Sequence, residues 1–310
     1  DLDLVHAQET RRILDRIVGF TASPFLMNFF GKNLSAGRVQ SVCLRMIVDR
    51  EQEIERFKPE KYWTLKAAFS SGNEEVIAKF HSEKITDEKL AQSLKKQTEM
   101  GSFYVSEILE EEEHKSPPEP LVTSTLQRLA SRMYGFAGER TMKAAQALYE
   151  NGFCTYIRTD SVRAVPEAIE EGRQYLKSEL KYAIPLKANT FRNKNSSHDA
   201  HECIRPTDLS ADADTPSLAM PDEKKIYALI WKYFLASQMT PAIFKTVKVT
   251  IVDRQNPNLR FRLTGKTLQD EGFLKMIGHQ TSDVLLPPLT LQQSLPLKKA
   301  MVEAKQTTPP

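Results

Sequence analysis

The stretch ALYENGFCTYIRTDS, residues 147–161, joins the end of a predicted helix to a short polar segment that contains Tyr156 and Arg158. Asn151 and Gly152 are typical helix-ending residues. If the following segment is extended, its period of two places Tyr156 and Arg158 on the same side. A tyrosine needs a nearby cation or base to become a good nucleophile, and an arginine can stabilise a phenolate or a pentacovalent phosphate. The pair therefore suits attack on a phosphodiester, although a tyrosine packed in a core is the commoner case.

Two helices are predicted immediately before this segment. Residues 123–136, TSTLQRLASRMYGF, begin with a Thr or Ser cap, follow the helical period and end at Gly135. Residues 138–153, GERTMKAAQALYENGF, contain the second predicted helix, which Asn151 and Gly152 end. The pair resembles a helix-turn-helix, which is common in DNA-binding proteins and also occurs in ordinary helical domains.

A second polar cluster follows in HDAHECIRPT, residues 198–207, where His201, Glu202 and Arg205 lie close together. His201 could hold a phosphate or pass a proton to a leaving oxygen, because imidazole changes its protonation near neutral pH. A histidine in a polar surface loop is the commoner alternative, and we expect His198 to be one.

Two stretches near the start of the chain combine helical periodicity with charge. Residues 1–20 predict a helix that Gly19 ends. The charged side of this helix is most commonly a solvated face with ion pairs, such as Arg11 with Asp15. Residues 33–57 predict a helix that begins with small residues, where free amides and the helix dipole could bind a phosphate. An ordinary helix cap looks similar.

In the next part of the chain the apolar residues recur at every second position, as they do in strands. Residues 62–113 favour strands, with a helical insert at 87–97. The stretch 110–120 combines a run of charges with three prolines, which makes it the best candidate for a domain boundary. Further helices are predicted beyond it, and the strand period resumes at 246. The β-rich region therefore lies in two parts, one on each side of a helical region.

Length and composition set broad limits. A chain of 310 residues is long enough for two or three folding units, and 27% charged with 40% hydrophobic residues is ordinary for a globular protein. No apolar run reaches the roughly 18 residues of a membrane span. The net charge of +3 does not by itself indicate a polyanionic partner. Cys43, Cys154 and Cys203 fit neither a disulfide framework nor a paired zinc motif, although Cys154 and Cys203 could make the protein sensitive to oxidation.

Five stretches, in this order and at these separations, resemble the signatures of the bacterial topoisomerase I family, which are type IA DNA topoisomerases. They are residues 1–20, 34–51, 147–161, 198–209 and 229–242, so the resemblance spans nearly the whole chain. It implies a toroidal enzyme that opens one DNA strand, holds the end covalently, passes another strand through the gap and religates. Negatively supercoiled DNA is thereby relaxed.

The resemblance also implies roles for individual residues. Tyr156 corresponds to the nucleophile that takes the 5′-phosphate, Arg158 to the arginine that stabilises the transition state, and His201 to the histidine near the scissile phosphate. The residues that correspond to DNA-contacting positions are Arg158, then Arg11, Arg12, Asp15 and Phe20 on the first helix, then Ser35, Ala36, Gly37, Arg38, Val39 and Gln40.

The implied fold is α+β and multidomain, with mainly helical DNA-binding and catalytic domains joined by a β-rich arch. Residues 1–57 are expected to form the first segment of the helical DNA-binding gate-base domain. Residues 58–115 and 237–306 are expected to form the arch, and residues 116–236 the helical catalytic domain that carries Tyr156.

The family's amino-terminal metal-binding (Toprim) domain and its carboxy-terminal region have no counterpart in this sequence, so we expect a central fragment that is inactive alone. Mg²⁺ of the parent enzyme is expected to be bound by the missing amino-terminal domain, with no cofactor in the fragment. Two acidic pairs are interpreted as solvated charge rather than metal ligands: Asp1 with Asp3, and Asp212 with Asp214. The expected partners are single-stranded and negatively supercoiled DNA, without a membrane, and we expect a monomer in the cytoplasm, associated with the nucleoid.

Two alternatives stay open. Tyrosine recombinases and type IB enzymes also use tyrosine and arginine on DNA, but they place several arginines and a histidine before the tyrosine, whereas here His201 follows Tyr156. A non-enzymatic helix-turn-helix module, in which Tyr156 only contacts the DNA backbone, is the other alternative.

Overall fold

The computed structural model describes residues 2–31, 33–72, 74–82, 84–193, 201–211, 220–278 and 284–310. Eight helices and seven strands lie in these ranges, so the predicted α+β fold class is confirmed. The helices are α1 (Leu2–Phe30), α2 (Arg38–Arg56), α3 (Glu88–Met100), α4 (Thr123–Tyr134), α5 (Gly138–Glu150), α6 (Pro166–Ser178), α7 (Pro221–Ser237) and α8 (Leu274–Ile277). The strands are β1 (Lys61–Ser71), β2 (Glu74–Phe80), β3 (Phe103–Lys115), β4 (Ala242–Asp253), β5 (Arg260–Asp270), β6 (Ser294–Leu295) and β7 (Leu297–Gln306).

The strands form one seven-stranded sheet in the order β6-β3-β4-β5-β2-β1-β7. Strands β3 and β4 are antiparallel, from the pair Phe103 and Asp253 to the pair Lys115 and Ala242. Strand β5 pairs antiparallel with β4, and β6 with β3. Strands that precede and follow the helical region in sequence therefore pair with each other.

Three phenylalanine rings, one each from β1, β3 and β5, pack together. Phe69, Phe103 and Phe261 are almost completely buried, and their ring centroids lie 5.1 to 5.7 Å apart in edge-to-face arrangements. Edge-to-face packing is the arrangement that the aromatic quadrupoles favour. The alternation of apolar residues that predicted these strands reflects these buried side chains.

Helices α4, α5 and α7 share a separate core. Leu126, Ala145, Leu148 and Ile230 are buried in it, one or more from each helix. Tyr227 of α7 is also buried, and its hydroxyl lies 2.9 Å from the carbonyl oxygen of Asp208 and 2.8 Å from that of Ala211. The core therefore also fixes the end of the segment that begins at residue 201.

The chain divides into two compact units. The first contains α1, α2 and α3, and the second contains helices α4 to α8. Tyr156, Arg158 and His201 belong to the second unit. The bounds of the first unit are Asp1–Lys66, Phe80–Met100 and Ala300–Pro310, and those of the second are Ala67–Lys79 and Gly101–Lys299.

The first helix is longer than the sequence predicted. We expected Gly19 to end it, but α1 has 29 residues in all and runs from Leu2 to Phe30. A glycine ends a helix when it adopts the left-handed conformation, and this occurs at Gly31, where φ is +63°, and not at Gly19. In spite of its length, neither α1 nor another helix within the described ranges is long and apolar enough to cross a bilayer.

Other helix ends agree with the prediction. Helix α4 ends at Gly135, which is left-handed with φ 67°. Helix α5 begins three residues later and ends at Asn151, and α6 begins with Pro166. The helical insert in the β-rich region is α3. Helix α4 does differ at its start, where Val122, and not a threonine or serine, is the N-cap residue.

Candidate active site

The end of α5 directs the chain into the segment that carries Tyr156. The Asn151 side chain donates a hydrogen bond of 2.9 Å to the carbonyl of Ala147. Gly152 is left-handed, with φ +76°, and the Phe153 amide then bonds to the Leu148 carbonyl at 2.8 Å. This closure ends the helix and starts an irregular segment at residue 153.

Thr155 fixes one side of that segment to residues 203–206. Its hydroxyl donates to the carbonyl of Cys203 at 2.7 Å and accepts from the Arg205 amide at 3.0 Å. The Thr155 amide bonds in turn to the Arg205 carbonyl at 3.0 Å. The two polar clusters of the sequence, separated by about fifty positions, are thereby neighbours in space.

Thr123, the first residue of α4, fixes the other side. Its hydroxyl donates to the Ile157 carbonyl at 2.7 Å and accepts from the Thr159 amide at 3.0 Å. The Thr123 amide also bonds to the Thr159 carbonyl at 3.0 Å. The backbone on both sides of Arg158 is therefore held by one residue.

Between these anchors the side chains alternate in exposure. Ile157 and Thr159 are buried, whereas Tyr156 and Arg158 are exposed. The segment belongs to no named strand, but the period of two expected for an extended chain holds. The shared exposure of Tyr156 and Arg158 agrees with the prediction that both lie on the same side of the segment.

The ring of Tyr156 is close to two other rings. Its centroid is 5.4 Å from that of Tyr149, at an interplanar angle of 70°, and 5.6 Å from that of His201, at 32°. Neither the Tyr156 hydroxyl nor the Arg158 guanidinium has a hydrogen-bond partner among the described residues. Tyr156 and His201 are thus in contact, and both the phenol and the guanidinium are available to a ligand.

Glu202 and Arg205 form an ion pair next to His201. The Arg205 Nε and Nη2 atoms lie 2.9 and 3.1 Å from the two carboxylate oxygens. Nη1 also donates to the Pro206 carbonyl at 3.0 Å. A two-point arginine–carboxylate contact holds both side chains in one geometry, so this pair orders the backbone that follows His201.

The two cysteines of this region are buried. Burial raises the pKa of the Cys154 thiol to about 12 and that of Cys203 also to about 12. A thiol reacts through its thiolate. The expected sensitivity to oxidation is therefore not favoured at these two positions, whereas Cys43 is exposed.

The predicted DNA-contacting residues other than Arg158 lie in the first unit. Asp15 of α1 forms an ion pair with Arg38: Nη2 donates a hydrogen bond of 3.1 Å to one carboxylate oxygen, and Nε lies 3.0 Å from the other. The Ala36 amide donates to the Ser23 hydroxyl at 3.0 Å. These contacts bring α1 and residues 35–40 together.

The ion pair predicted within α1 is wrong. Asp15 pairs with Arg38 and not with Arg11, because the turn after α1 returns the chain toward it. Arg11 and Arg12 have no ion pair within the described ranges, and Phe20 is 80% exposed. The other predicted contact residues, Ser35, Gly37, Val39 and Gln40, lie at or next to the start of α2.

The described part of the chain contains no group of three or more His, Cys, Asp or Glu residues that could hold a metal ion. One predicted surface histidine and three of the four predicted solvated aspartates fall outside the described residues: His198, Asp1, Asp212 and Asp214. The residues described here therefore do not fit a metal site.

Sequence reasoning missed three contributors. Tyr149 is seven positions before Tyr156, and the helix ends between them. Helical periodicity therefore could not predict their contact. Thr123 was interpreted only as part of a helix cap, and Thr155 only as part of a polar segment. Their partners are distant in sequence, so no local pattern could identify them.

A family model described as DNA topoisomerase matches residues 1–310, which is the whole chain. The chain belongs to the DNA topoisomerase family. The resemblance to type IA topoisomerases that the five sequence stretches indicated is thereby confirmed.

Individual topoisomerases show the extent of the similarity. DNA topoisomerase 1 of Helicobacter pylori is 39% identical over all of this chain and 44% of its own length. DNA topoisomerase 1 of Campylobacter jejuni is 37% identical over 99% of this chain and 46% of its own length. The structure of full-length topoisomerase I from Thermotoga maritima has a TM-score of 0.81 and 33% identity, over 100% of this chain and 52% of that chain. This chain therefore spans about half the length of the topoisomerases that it matches.

Proposed function

We propose that this chain is the part of a type IA topoisomerase that supplies the attacking tyrosine. In the whole enzyme, one DNA strand is cleaved by transesterification to Tyr156, another strand is passed, and the first is religated. The observation that carries the proposal is the exposed phenol of Tyr156, which is fixed on a doubly anchored segment beside His201. Full coverage by a DNA topoisomerase family model supports it.

The proposed reaction needs no external source of energy. The Tyr156 oxygen attacks phosphorus, the bond from phosphorus to the 3′-oxygen breaks, and a phosphotyrosine bond of similar energy forms. The phenol proton ends on the leaving 3′-oxygen. Arg158 stabilises the charge of the pentacovalent phosphate, and His201 holds the phosphate or transfers the proton. Religation reverses these changes.

Mg²⁺ is proposed to belong to a part of the parent enzyme other than this chain. The described residues offer no cluster that fits a metal ion. The steps assigned above to Tyr156, Arg158 and His201 are therefore limited to attack, charge stabilisation and proton transfer.

Helix α1 and the start of α2 are proposed to contact single-stranded DNA. Arg11 and Arg12 present unpaired charges, Phe20 presents an exposed ring, and the Arg38 side chain is oriented by Asp15. Positive charge that follows the backbone, combined with an aromatic platform, is the usual basis of single-strand binding. The Ala36 amide donates to the Ser23 hydroxyl, which holds the stretch Ser35 to Gln40 next to α1.

The domain division is also a proposal. We infer that residues 1–57 belong to a DNA-binding gate-base domain, 58–115 and 237–306 to an arch, and 116–236 to the catalytic domain. The pairing of β3 with β4 supports an arch assembled from two parts of the sequence. A monomeric enzyme that acts in the cytoplasm on negatively supercoiled DNA follows from the same proposal.

Covalent trapping tests the proposed reaction. The full-length parent enzyme, incubated with an end-labelled single-stranded oligonucleotide, should form an adduct on the 5′-phosphate that is absent in Tyr156→Phe. An adduct on the 3′-phosphate would instead indicate the recombinase or type IB class. Binding without any adduct would indicate a DNA-binding module. Neither alternative is favoured by the family to which the chain belongs.

A further inference from the structure

The ring of Tyr149 lies where it can limit the motion of Tyr156. Tyr149 is in the last turn of α5, so its backbone is fixed by the helix. Its ring meets that of Tyr156 in an edge-to-face arrangement, with centroids 5.4 Å apart. His201 faces the Tyr156 ring in a tilted arrangement at 5.6 Å. Two rings from different segments therefore contact the ring of the proposed nucleophile.

We propose that Tyr149 is a positioning residue that, together with His201, holds the Tyr156 ring in the orientation needed for attack on phosphorus. The inference rests on the proposed function, because it takes Tyr156 as the nucleophile. An exposed tyrosine samples several staggered rotamers. Attack in line with the leaving oxygen needs only one of them, and misplacement by about 1 Å can lower a rate by about a hundredfold.

The ring of Tyr149 contributes little to the helical core. Tyr149 is 39% exposed, whereas Leu148 beside it is 1% exposed and Ala145, one turn before, is fully buried. Those two residues belong to the core cluster of α4, α5 and α7, and Tyr149 does not. Removal of its ring should therefore leave the fold of the helices intact, so that positioning can be separated from stability.

The ring, and not the hydroxyl, carries this role. Within the described residues the Tyr149 hydroxyl makes no hydrogen bond. Phenylalanine keeps the aromatic edge and face, so Tyr149→Phe should behave like the wild type. Leucine keeps much of the volume but loses the edge-to-face contact with Tyr156. The comparison of the two variants isolates the ring contact.

Tyr134 provides a control for the loss of an aromatic contact, and it differs from Tyr149 in that it also packs against the helical core. It also lies in the last turn of a helix, α4, and it also packs on an aromatic ring, that of Phe136, with centroids 5.6 Å apart. Its ring contacts are with residues other than Tyr156. A Tyr134→Leu variant therefore removes a comparable aromatic contact without touching the proposed nucleophile.

The first test uses the full-length parent enzyme and a single-stranded oligonucleotide. Single-turnover cleavage should be about tenfold slower in Tyr149→Leu, with the dissociation constant for DNA changed by no more than about twofold. Tyr149→Phe and Tyr134→Leu should cleave at the wild-type rate per folded molecule, with folding checked by thermal unfolding. Wild-type cleavage in Tyr149→Leu, or an equal loss in Tyr149→Phe or Tyr134→Leu, would overturn the proposal.

The second test does not depend on chemistry. In the 310-residue chain with ring-labelled tyrosine, the ring resonances of Tyr156 should carry a ring-current shift from Tyr149. The shift should disappear in Tyr149→Leu and persist in Tyr149→Phe. Unchanged Tyr156 resonances in Tyr149→Leu would contradict the contact. If the wild-type parent forms no adduct, the proposed function fails and the positioning role fails with it, while the resonances still decide the contact.

Discussion

At the scale of the residue, Thr123 has an effect far from its own position in the sequence. It begins α4, yet its hydroxyl and amide bind the backbone at Ile157 and Thr159, on both sides of Arg158. A buried amide that loses its partner costs more free energy than an ordinary hydrogen bond contributes. Thr123 is therefore a suitable position at which to test how firmly the segment must be held.

We predict that Thr123→Val lowers the free energy of unfolding by about 1–3 kcal/mol, because the Thr159 amide and the Ile157 carbonyl lose the hydroxyl. Thr123→Ser, which keeps the hydroxyl, is the control and should lose less. Urea unfolding of the chain measures both values. Equal stability of the valine variant and the wild type would show that these bonds do not hold the segment.

The three cysteines should differ in reactivity. At about pH 8 an exposed thiol is partly ionised, so Cys43 should react rapidly with a thiol-specific reagent. Cys154 and Cys203 should react only as fast as the chain opens, because burial keeps their pKa near 12. The time course of labelling, followed by peptide mapping, checks this order. Rapid labelling of Cys203 would contradict the burial found here.

The same pKa shift predicts a dependence of stability on pH. The Cys154 pKa rises from an ordinary 9.0 to about 12 in the native state. Between these values the unfolded chain loses the proton and the native chain keeps it, so the free energy of unfolding falls as the pH rises. The fall above about pH 9 should be less steep in Cys154→Ala than in the wild type. Parallel slopes would count against a raised pKa.

At the scale of the element, the end of α5 depends on one glycine. Gly152 has φ +76°, and a Cβ added there would meet nothing within 4 Å. We predict that Gly152→Ala lowers the free energy of unfolding by about 1–2 kcal/mol, purely through backbone strain. Gly138→Ala, at the start of the same helix, has negative φ and space beside Gln127, and should be neutral or slightly stabilising. Urea unfolding should separate the two variants.

Helix ends of this kind could be predicted from the sequence, because their cause is local. Gly135, Asn151 and Pro166 mark ends that the structure confirms. Gly19 misled the prediction, because a glycine favours the left-handed conformation without requiring it. Asp15 misled it as well, because its partner Arg38 is 23 positions away, beyond the reach of helical spacing.

At the scale of the whole molecule, the chain spans 44% of the length of its Helicobacter pylori relative. We predict that this chain alone does not relax a negatively supercoiled plasmid, whereas the full-length parent does so with Mg²⁺. The reason is that the described residues hold no metal-binding cluster. Gel electrophoresis of plasmid topoisomers is the measurement. Relaxation by the chain alone would mean that its own residues complete the site.

The candidate site illustrates the limit of sequence reasoning at this scale. Tyr156, Arg158 and His201 were found because their motifs resemble those of a family. The contact between Tyr156 and His201, and the anchors at Thr123 and Thr155, depend on segments that meet only after folding. Such contacts leave no periodicity in the sequence. These contacts determine how the side chains of the motif are oriented. The sequence of the motif does not contain that information.

The end of the β3–β4 pair determines how a pull on the helical segment acts on the sheet. Lys115 and Ala242 are partners at the end of the β3–β4 pair, so the intervening helical segment leaves and rejoins the sheet at adjacent points. The hydrogen bonds of an antiparallel pair run across the strands. A pull on the helical segment therefore loads these bonds one pair at a time, as in unzipping, and not all at once, as in shear. The last pairs join exposed residues of β3, Glu113 to Lys115, to a part of β4 in which Ala242 and Phe244 are buried, so unzipping from this end also uncovers apolar side chains.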